Sequence, residues 1–475
     1  MHSRIKNMKT KSINIKDIRR ALRFDGSFQL SDSVVYENLI EGHKYLRLST
    51  MCSSIFTSGR NKRTYTDESK GYPFLSNSDM IAADPFTACK YMSKKYTDSS
   101  DGFLKHNMVL TGRVGAIGQT AYVSKRIEGC NAIGSDNIIR IVCKDNYYSG
   151  YVYAFLTSKI GNIMLWKYAA GGVQPYITDK MVGQIPIPQF TESFQIEIDE
   201  MIQESARLRD EAAVLLAEAD AKLKEYNELR PLTPDDYDYY GPRNADRRVS
   251  CFVRNRKDIT STTINAFNHS ERILRMKELT LQGTIPISSI IENGQTFSTG
   301  SFPRIETKNG KGVMLINQMD IFGQIIRGKW ISKRNVKLDS LVEYGEVLIA
   351  GVGTMGENET FCRAIFANED LQGQLVSGEF IRMKTKGEVP SGYLYAWLCS
   401  EYGFRLIRNI EAGTKLCRPI PKLFLEIPVP LATPAQMEEI DSLVRFAHTL
   451  RHKANKLELD AIARMEAEIE QWSKS

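Results

Sequence analysis

The sequence predicts an α+β protein in which two related globular domains are joined by two long antiparallel helices, a coiled-coil-like spacer with an approximate two-fold axis. Two observations carry this. The stretches 191–228 and 433–472 both place apolar and small residues three and four apart, the heptad seam of helices that pack lengthwise on one another. The second stretch repeats the first 242 residues later, and the same offset links the segments upstream of each. The chain is therefore a tandem duplication: globular domain, long helix, globular domain, long helix.

The first helix, 191–228, contains neither Gly nor Pro and is rich in Ala, Leu, Glu and Lys, all strong helix formers. Its seam runs through Ile198, Met201, Ser205, Leu208, Ala212, Leu215 and Ala219. The seam of the second helix, Ile440, Leu443, Ala447, Leu450, Ala454, Leu457 and Ala461, follows at the common offset and continues to Met465. These are the residues expected to pair the helices, with small side chains at Ser205/Ala447, Ala212/Ala454 and Ala219/Ala461 letting the backbones approach. Ile202 and Leu216 lie off the seam, beside the acidic Glu197, Glu200, Glu204 and Glu211. They are expected to support docking of partner subunits or one side of the bundle.

The duplication extends through the globular parts. Residues 149–156, SGYVYAFL, match 391–398, SGYLYAWL, and Ile185-Pro186-Ile187-Pro188 matches Ile427-Pro428-Val429-Pro430. Arg140 aligns with Arg382. Farther upstream the offset drifts, 110–118 matching 348–356 at a shift of 238, as loop insertions cause. A two-copy repeat of this length is not a solenoid. The divisions are a first domain at 1–190, a helix at 191–228, a linker at 229–247, a second domain at 248–432 and a helix at 433–475.

Within the first domain, 34–45, 71–75, 107–111 and 137–142 have the composition of strands bounded by Gly, Asn and Asp, and 151–167 has a helical pattern. Short strands with a helix or two make an α+β domain. The alternate prolines of Ile-Pro-x-Pro cannot continue a central strand and lead into the long helix. Thr433, Pro434 and Gln436 supply an N-cap, a proline at the first helical position and a capping-box glutamine; the first copy keeps Thr191 but has Phe194 in the box. Three prolines, Pro231, Pro234 and Pro242, break the helix in the linker. If the domains are equivalent and the helices pair, the second must run back along the first. About 37 helical residues then give a spacer of roughly 55 Å.

Charge is distributed by segment. Residues 1–190 hold 26 Lys and Arg against 15 Asp and Glu, and 248–433 hold 24 against 18, whereas helix 191–228 holds 4 against 11. Basic domains on an acidic spacer are the footprint of two contacts with a polyanion. The basic start between Arg4 and Arg23 has no apolar run behind it, so no signal peptide is expected, and no apolar run is long enough for a membrane span. The eight cysteines are scattered without a C-x-x-C, which points to reduced thiols, a cytoplasmic location and neither zinc nor a disulfide framework. His448 and His452 sit four apart on the second helix but lack the glutamate of H-E-x-x-H; they are expected on its surface.

This order of parts resembles the specificity subunit of type I restriction-modification systems. The features that carry the likeness are a domain ending in G-x-x-Q…I-P-x-P, then a long helix, with the whole unit repeated. The first copy reads Gly171-Gly172-Val173-Gln174 and Ile185-Pro186-Ile187-Pro188; the second reads Gly413-Thr414-Lys415-Leu416, without the glutamine, and Ile427-Pro428-Val429-Pro430. The resemblance covers nearly the whole chain. It implies two target-recognition domains, each reading one part of a gapped double-stranded DNA sequence. It also implies two methyltransferase subunits that use S-adenosylmethionine and, where the system has them, two restriction subunits that use ATP; no cofactor is expected in this chain.

Catalytic motifs are expected to be absent. Gly351-Val352-Gly353-Thr354-Met355-Gly356 fits G-x-G-x-x-G, but Glu-Asn-Glu-Thr follows rather than a helix pattern, and its repeat partner carries Arg113 in place of Gly351. It is better read as a backbone turn common to both domains. No phosphate-loop motif, triad or metal set stands out. The groups most suited to phosphates and base edges are Arg60, Asn61, Lys62 and Arg63, then Lys90, Lys94 and Lys95 interleaved with tyrosines, and Gln174. In the second domain they are Arg304, Lys308 and Lys311, then Arg327 and Lys329 beside Trp330. Two other functions stay open on sequence alone: the targeting part of a stand-alone DNA methyltransferase or nuclease, and a protein-only antiparallel scaffold.

Overall fold

The computed structural model describes residues 26–30 and 33–472 and a few isolated positions before them, apart from 61, 98–100, 171–173, 234–235, 237–252, 260–261, 281–282, 309 and 357. The basic start and most of the linker 229–247 lie outside the described residues. Two compact units result: Met1–Asp210 with Ala454–Ser475, and Glu211–Lys453.

In the first unit α1 (Ser33–Glu41) leads to β1 (Tyr45–Arg47). The segment 34–45 is thus mainly helix, not strand. Val34 and Val35 suggest a strand, but Ser33, Glu37 and Ile40 are buried at helical spacing while Val35 faces solvent. Glu37 is further fixed by Lys167 and by the Tyr168 hydroxyl at 2.6 Å, so tertiary contacts override β-propensity here.

Two four-stranded sheets follow. One orders β2 (Cys52–Phe56), β9 (Ile138–Cys143), β6 (Val109–Gly112) and β7 (Thr120–Tyr122), antiparallel throughout. The other orders β3 (Tyr65–Thr66), β5 (Lys90–Ser93), β4 (Gly71–Leu75) and β8 (Ile133–Gly134), with β8 parallel to β4. The expected helix at 151–167 is two helices, α2 (Ser149–Thr157) and α3 (Lys159–Tyr168). Ser158 makes the break: its Oγ accepts from Gly161 N at 3.1 Å and caps α3. A Cβ at Gly161 would lie 2.0 Å from Phe155 O, so the corner needs glycine. β10 (Pro186–Pro188) then pairs antiparallel with β1 alone, a two-stranded position that proline tolerates, and α4 (Glu192–Tyr226) begins.

The second unit repeats these parts. β11 (Thr284–Pro286) pairs with β20 (Pro428–Pro430) in the register of β1 with β10. β13 (Lys329–Ile331), β12 (Val313–Ile316) and β16 (Leu375–Val376) reproduce β5, β4 and β8, parallel pair included. β15 (Ala364–Phe366), β14 (Val347–Ala350) and β17 (Phe380–Met383) reproduce β7, β6 and β9. Where β2 pairs Phe56 with Arg140, an isolated bridge joins Phe297 to Arg382. α5 (Ser391–Cys399) and α6 (Glu401–Asn409) meet at Ser400 and Gly403 as α2 and α3 meet at Ser158 and Gly161. β18 (Glu411–Ala412) and β19 (Arg418–Pro419) form a short hairpin, and α7 (Pro434–Trp472) leaves β20 through the expected Thr433–Gln436 capping box.

Each unit contains part of the helix pair. In the first, Glu197 meets Arg464 at 2.6 Å, Ser205 Oγ donates to Ala454 O at 2.8 Å, and Arg209 meets Glu458 at 2.7 Å. From Glu197 to Ser205 the number rises on α4 while the partner's falls on α7, from Arg464 to Ala454, so the helices are antiparallel there. Ile198, Ala461 and Met465 join the core built on Tyr151, Phe155 and Ile187, with Met201 packed against it. In the second unit Lys222 and Tyr226 both reach Glu439, at 2.9 and 2.6 Å. Ala219 and Ile440 join the core around Tyr393 and Trp397, with Leu443 against it. Leu208, Ala212, Ala447, Leu450 and Ala454 are buried, while Leu215 and Leu457 are half-buried.

Candidate nucleic-acid interface

The first domain brings two of the expected basic clusters to one sheet. Lys90 stands on β5 with its ammonium 5.0 Å from the Tyr65 ring of β3, and Lys94, just past β5, lies 5.6 Å from the Tyr72 ring of β4. Lys95 lies 5.2 Å from Tyr96. Arg63 precedes β3 and lies 5.0 Å from Phe74. Alternation on neighbouring strands puts these rings and cations side by side. Lys62 is exposed nearby; Asn61 lies outside the described residues.

A residue the sequence did not single out organises this face. Asp136, between β8 and β9, accepts from Arg60 Nε at 3.1 Å on one oxygen and from Arg63 on the other. Its side chain is 10% exposed against 84% for Arg60 and 40% for Arg63, so the carboxylate forms the floor and the cations the rim. Burial raises its pKa, but hydrogen bonds and charge from Arg63, with the hydrogen bond from Arg60, outweigh burial and hold it below the ordinary carboxylate value. The cleft, about 430 Å³, is also lined by Ser58, Met92 and Asn137.

The second domain converges in the same way. Thr307 N donates to Trp330 O at 2.8 Å and Glu306 bridges to Ile331, which lays the 304–311 loop along β13. Arg304, Lys308 and Lys311 are exposed on this loop, and exposed Arg327 shortly precedes Lys329, whose Nζ meets Glu306 at 2.7 Å. Arg304 lies 6.0 Å from the Phe302 ring. A cleft of about 700 Å³ adjoins, lined among others by Phe302, Pro303, Lys337 and Lys384.

Under each face lies a fully buried arginine. Arg140 spans its corner by donating to the backbone oxygens of Ile138 at 2.9 Å and Gly102 at 3.1 Å; burial pushes its pKa down to about 10. Arg382 instead pairs with buried Glu346 at 2.8 and 2.9 Å and also donates to Ser340 O and Leu341 O.

Several expected sites lie elsewhere. Gln174 is exposed between Ala170 and Tyr176, whose backbones bridge each other, and Tyr176 also bridges to Val114; it stands on a different loop from Arg60 and Lys90. Ile202 is 2% exposed inside the core of the first unit, and Leu216 packs partly buried on that of the second. Both lie on the side of the bundle that faces the cores, one of the two places expected for them, because the helices are covered on more than the narrow seam. His448 is likewise buried, against Phe366 and Tyr395, and half-exposed His452 meets Asp370 at 2.6 Å. The surface expected for both is taken by the second domain. Among the described residues no cluster of His, Cys, Asp and Glu could hold a metal, and no helix is long and apolar enough to cross a membrane. After Gly351 the chain crosses to Cys417, Gly353 N donating to Cys417 O at 3.2 Å, and no described helix intervenes before β15.

No family model matches the chain, and no curated protein does. Among solved structures it is similar to the type I restriction-modification system S subunit from M. genitalium, with 12% identity over 90% of this chain and 94% of that one and a TM-score of 0.36. It is also similar to the HsdS subunit from Thermoanaerobacter tengcongensis, with 13% identity, 90% and 96% coverage and a TM-score of 0.27. Over 40% of its length it is similar to 30% of the type IIG restriction endonuclease BpuSI, with 10% identity and a TM-score of 0.29.

Proposed function

We propose that this chain is a non-catalytic DNA-specificity subunit of a restriction-modification system, each domain reading one part of a two-part, gapped duplex target. The observation that carries this is the repetition of a basic face on equivalent sheets. Arg60, Arg63, Lys90 and Lys94 gather at β3, β5 and β4, and Arg304, Lys308, Arg327 and Lys329 gather at β13. Cations over aromatic rings suit phosphate and base contacts, and two copies suit two stretches of sequence. Methyl transfer would come from methyltransferase subunits that hold S-adenosylmethionine, and cleavage from ATP-using restriction subunits.

The test is selection from a randomised duplex library by the full-length chain, followed by binding at several salt concentrations. Enrichment of two short motifs at a fixed gap supports the proposal; no enriched sequence favours a protein-only scaffold. Purified chain with S-adenosylmethionine should leave the selected DNA unmethylated until methyltransferase subunits are added. Methylation by the chain alone would make it an enzyme.

A further inference from the structure

This inference rests on the DNA-binding proposal and concerns which side chains make the first domain selective. Arg63 is restrained twice, by Asp136 and by its place 5.0 Å from the Phe74 ring. Arg60 gives its Nε to the second oxygen of the same carboxylate at 3.1 Å, a bond that does not use its two terminal nitrogens. Asp136 lies just before β9, at the bottom of the cleft, and accepts as well from Ser135 Oγ at 3.3 Å. One nearly buried carboxylate therefore aims two arginines.

Phosphate contacts do not call for such a device. A carboxylate between two arginines subtracts a charge and repels the DNA backbone, weakening the contact it would be serving. A base edge is neutral, so that repulsion does not arise, and holding the guanidinium in place removes freedom that binding would otherwise have to freeze. Guanine presents two acceptors, O6 and N7, to the major groove, and a guanidinium fork matches both. We propose that Asp136 is a specificity-determining positioning residue, holding Arg60 and Arg63 so that one guanidinium reads a guanine in the part of the target bound by the first domain.

The second domain lacks this arrangement. Ser377 matches Ser135 in the repeat, and the next residue is Gly378 where the first copy has Asp136. The effect of changing Asp136 should therefore be confined to one part of the target.

Full-length wild type, Asp136→Asn, Asp136→Glu, Arg60→Lys and Arg63→Lys are compared in the duplex selection. Wild type should prefer guanine at one position by about ten-fold or more. Asp136→Asn keeps the shape but not the charge. It should reduce that preference to about three-fold or less while leaving every other position unchanged, those of the second domain included. Its binding to unrelated duplex should not fall, since a negative charge has gone. Asp136→Glu should restore part of the preference, and one of Arg60→Lys and Arg63→Lys, which keep charge but lose the fork, should lose it. An unchanged guanine preference in Asp136→Asn, or a uniform loss of binding with all preferences intact, overturns the inference. If Asp136→Asn does not fold, the two lysine variants decide: guanine preference retained in both overturns it too. A wild type that enriches no sequence fails the DNA-binding proposal itself, and this inference with it.

Discussion

Gly150 N donates to Asp199 Oδ1 at 2.6 Å, so a carboxylate from the long helix α4 caps the first turn of α2. The relationship recurs in the second copy, where Gly392 N donates to Asp441 Oδ1 at the same 2.6 Å. A Cβ would lie 2.7 Å from the Asp199 oxygen at Gly150 and 2.5 Å from that of Asp441 at Gly392. Glycine lets the helix start press on the long helix, and the aspartate satisfies its otherwise orphaned N–H.

The first prediction is that Gly150→Ala and Asp199→Ala each destabilise the first domain, by about 1–3 kcal/mol. Gly392→Ala and Asp441→Ala should do the same to the second. Asp199→Asn should cost least, because it keeps an acceptor and because burial already raises the Asp199 pKa, favouring its neutral form. Urea unfolding followed by circular dichroism checks the order; Gly150→Ala as stable as wild type would show that the close approach is unimportant.

The buried pair of Arg382 and Glu346 gives a second prediction. Glu346→Ala leaves an uncompensated guanidinium that is fully buried and should cost about 3–5 kcal/mol. Replacing both, as Arg382→Met with Glu346→Leu, should recover most of that loss, since a well-packed apolar pair needs no desolvated charge. Thermal melts of the two variants compare the outcomes directly.

A polar network in the first unit supports a third. Arg209 meets Glu458, Ser205 and Asn455, and Tyr153 donates to Glu458 at 2.7 Å. By the repeat, Glu458 corresponds to Leu216 and Arg209 to Arg451, so an α4 paired with a second α4 would set Arg209 against leucine. The network thus favours pairing α4 with α7 in this register. Glu458→Leu should destabilise the first unit by about 3–5 kcal/mol. Adding Arg209→Leu should restore stability while raising the dimeric fraction in analytical ultracentrifugation. An unchanged monomer fraction would mean the network does not select the partner helix.

His448 supplies a pH dependence. Burial first, then the Arg451 charge, holds its pKa well below the ordinary imidazole value. The unfolded chain takes up the proton near pH 6.5 and the folded chain does not. Its contribution is therefore fully present above about pH 6.5 and is lost as pH falls towards the folded-state pKa, by up to about 1.4 kcal/mol per pH unit. His448→Phe keeps an aromatic ring against Phe366 and Tyr395 and should flatten the stability profile of the second unit between pH 7 and 5. Unfolding curves at a series of pH values measure that slope.

What the sequence made legible follows from distance along the chain. The long helices and the duplication could be read because heptad spacing and a common offset are properties of the string itself. The segment 34–45 could not, since Val34 and Val35 favour a strand, while the burial of Ser33, Glu37 and Ile40 and the contacts of Glu37 with Lys167 and Tyr168 from α3 come from tertiary structure. His448 is expected on the surface, and Ile202 and Leu216 are left between docking and one side of the bundle, because a seam read from sequence names one buried stripe, whereas each helix is also covered by its own domain. The basic clusters were legible as composition. Asp136, which joins Arg60 to Arg63 from more than seventy residues away, had no local signal.

The first unit draws on segments from far apart in the chain, Met1–Asp210 and Ala454–Ser475, whereas Glu211–Lys453 is continuous. On a translating ribosome this reverses the usual order of completion. At about 5–20 residues per second, roughly 10–50 s of synthesis separates Asp210 from Ala454. Throughout that interval Ile198 and Ile202 lack Ala461, Met465 and Ile469, which complete their core. The second unit can close while the first still waits for its last helix. A chain released before Ala454 would carry a complete second unit and an unfinished first one, with the apolar face of Ile198 and Ile202 uncovered.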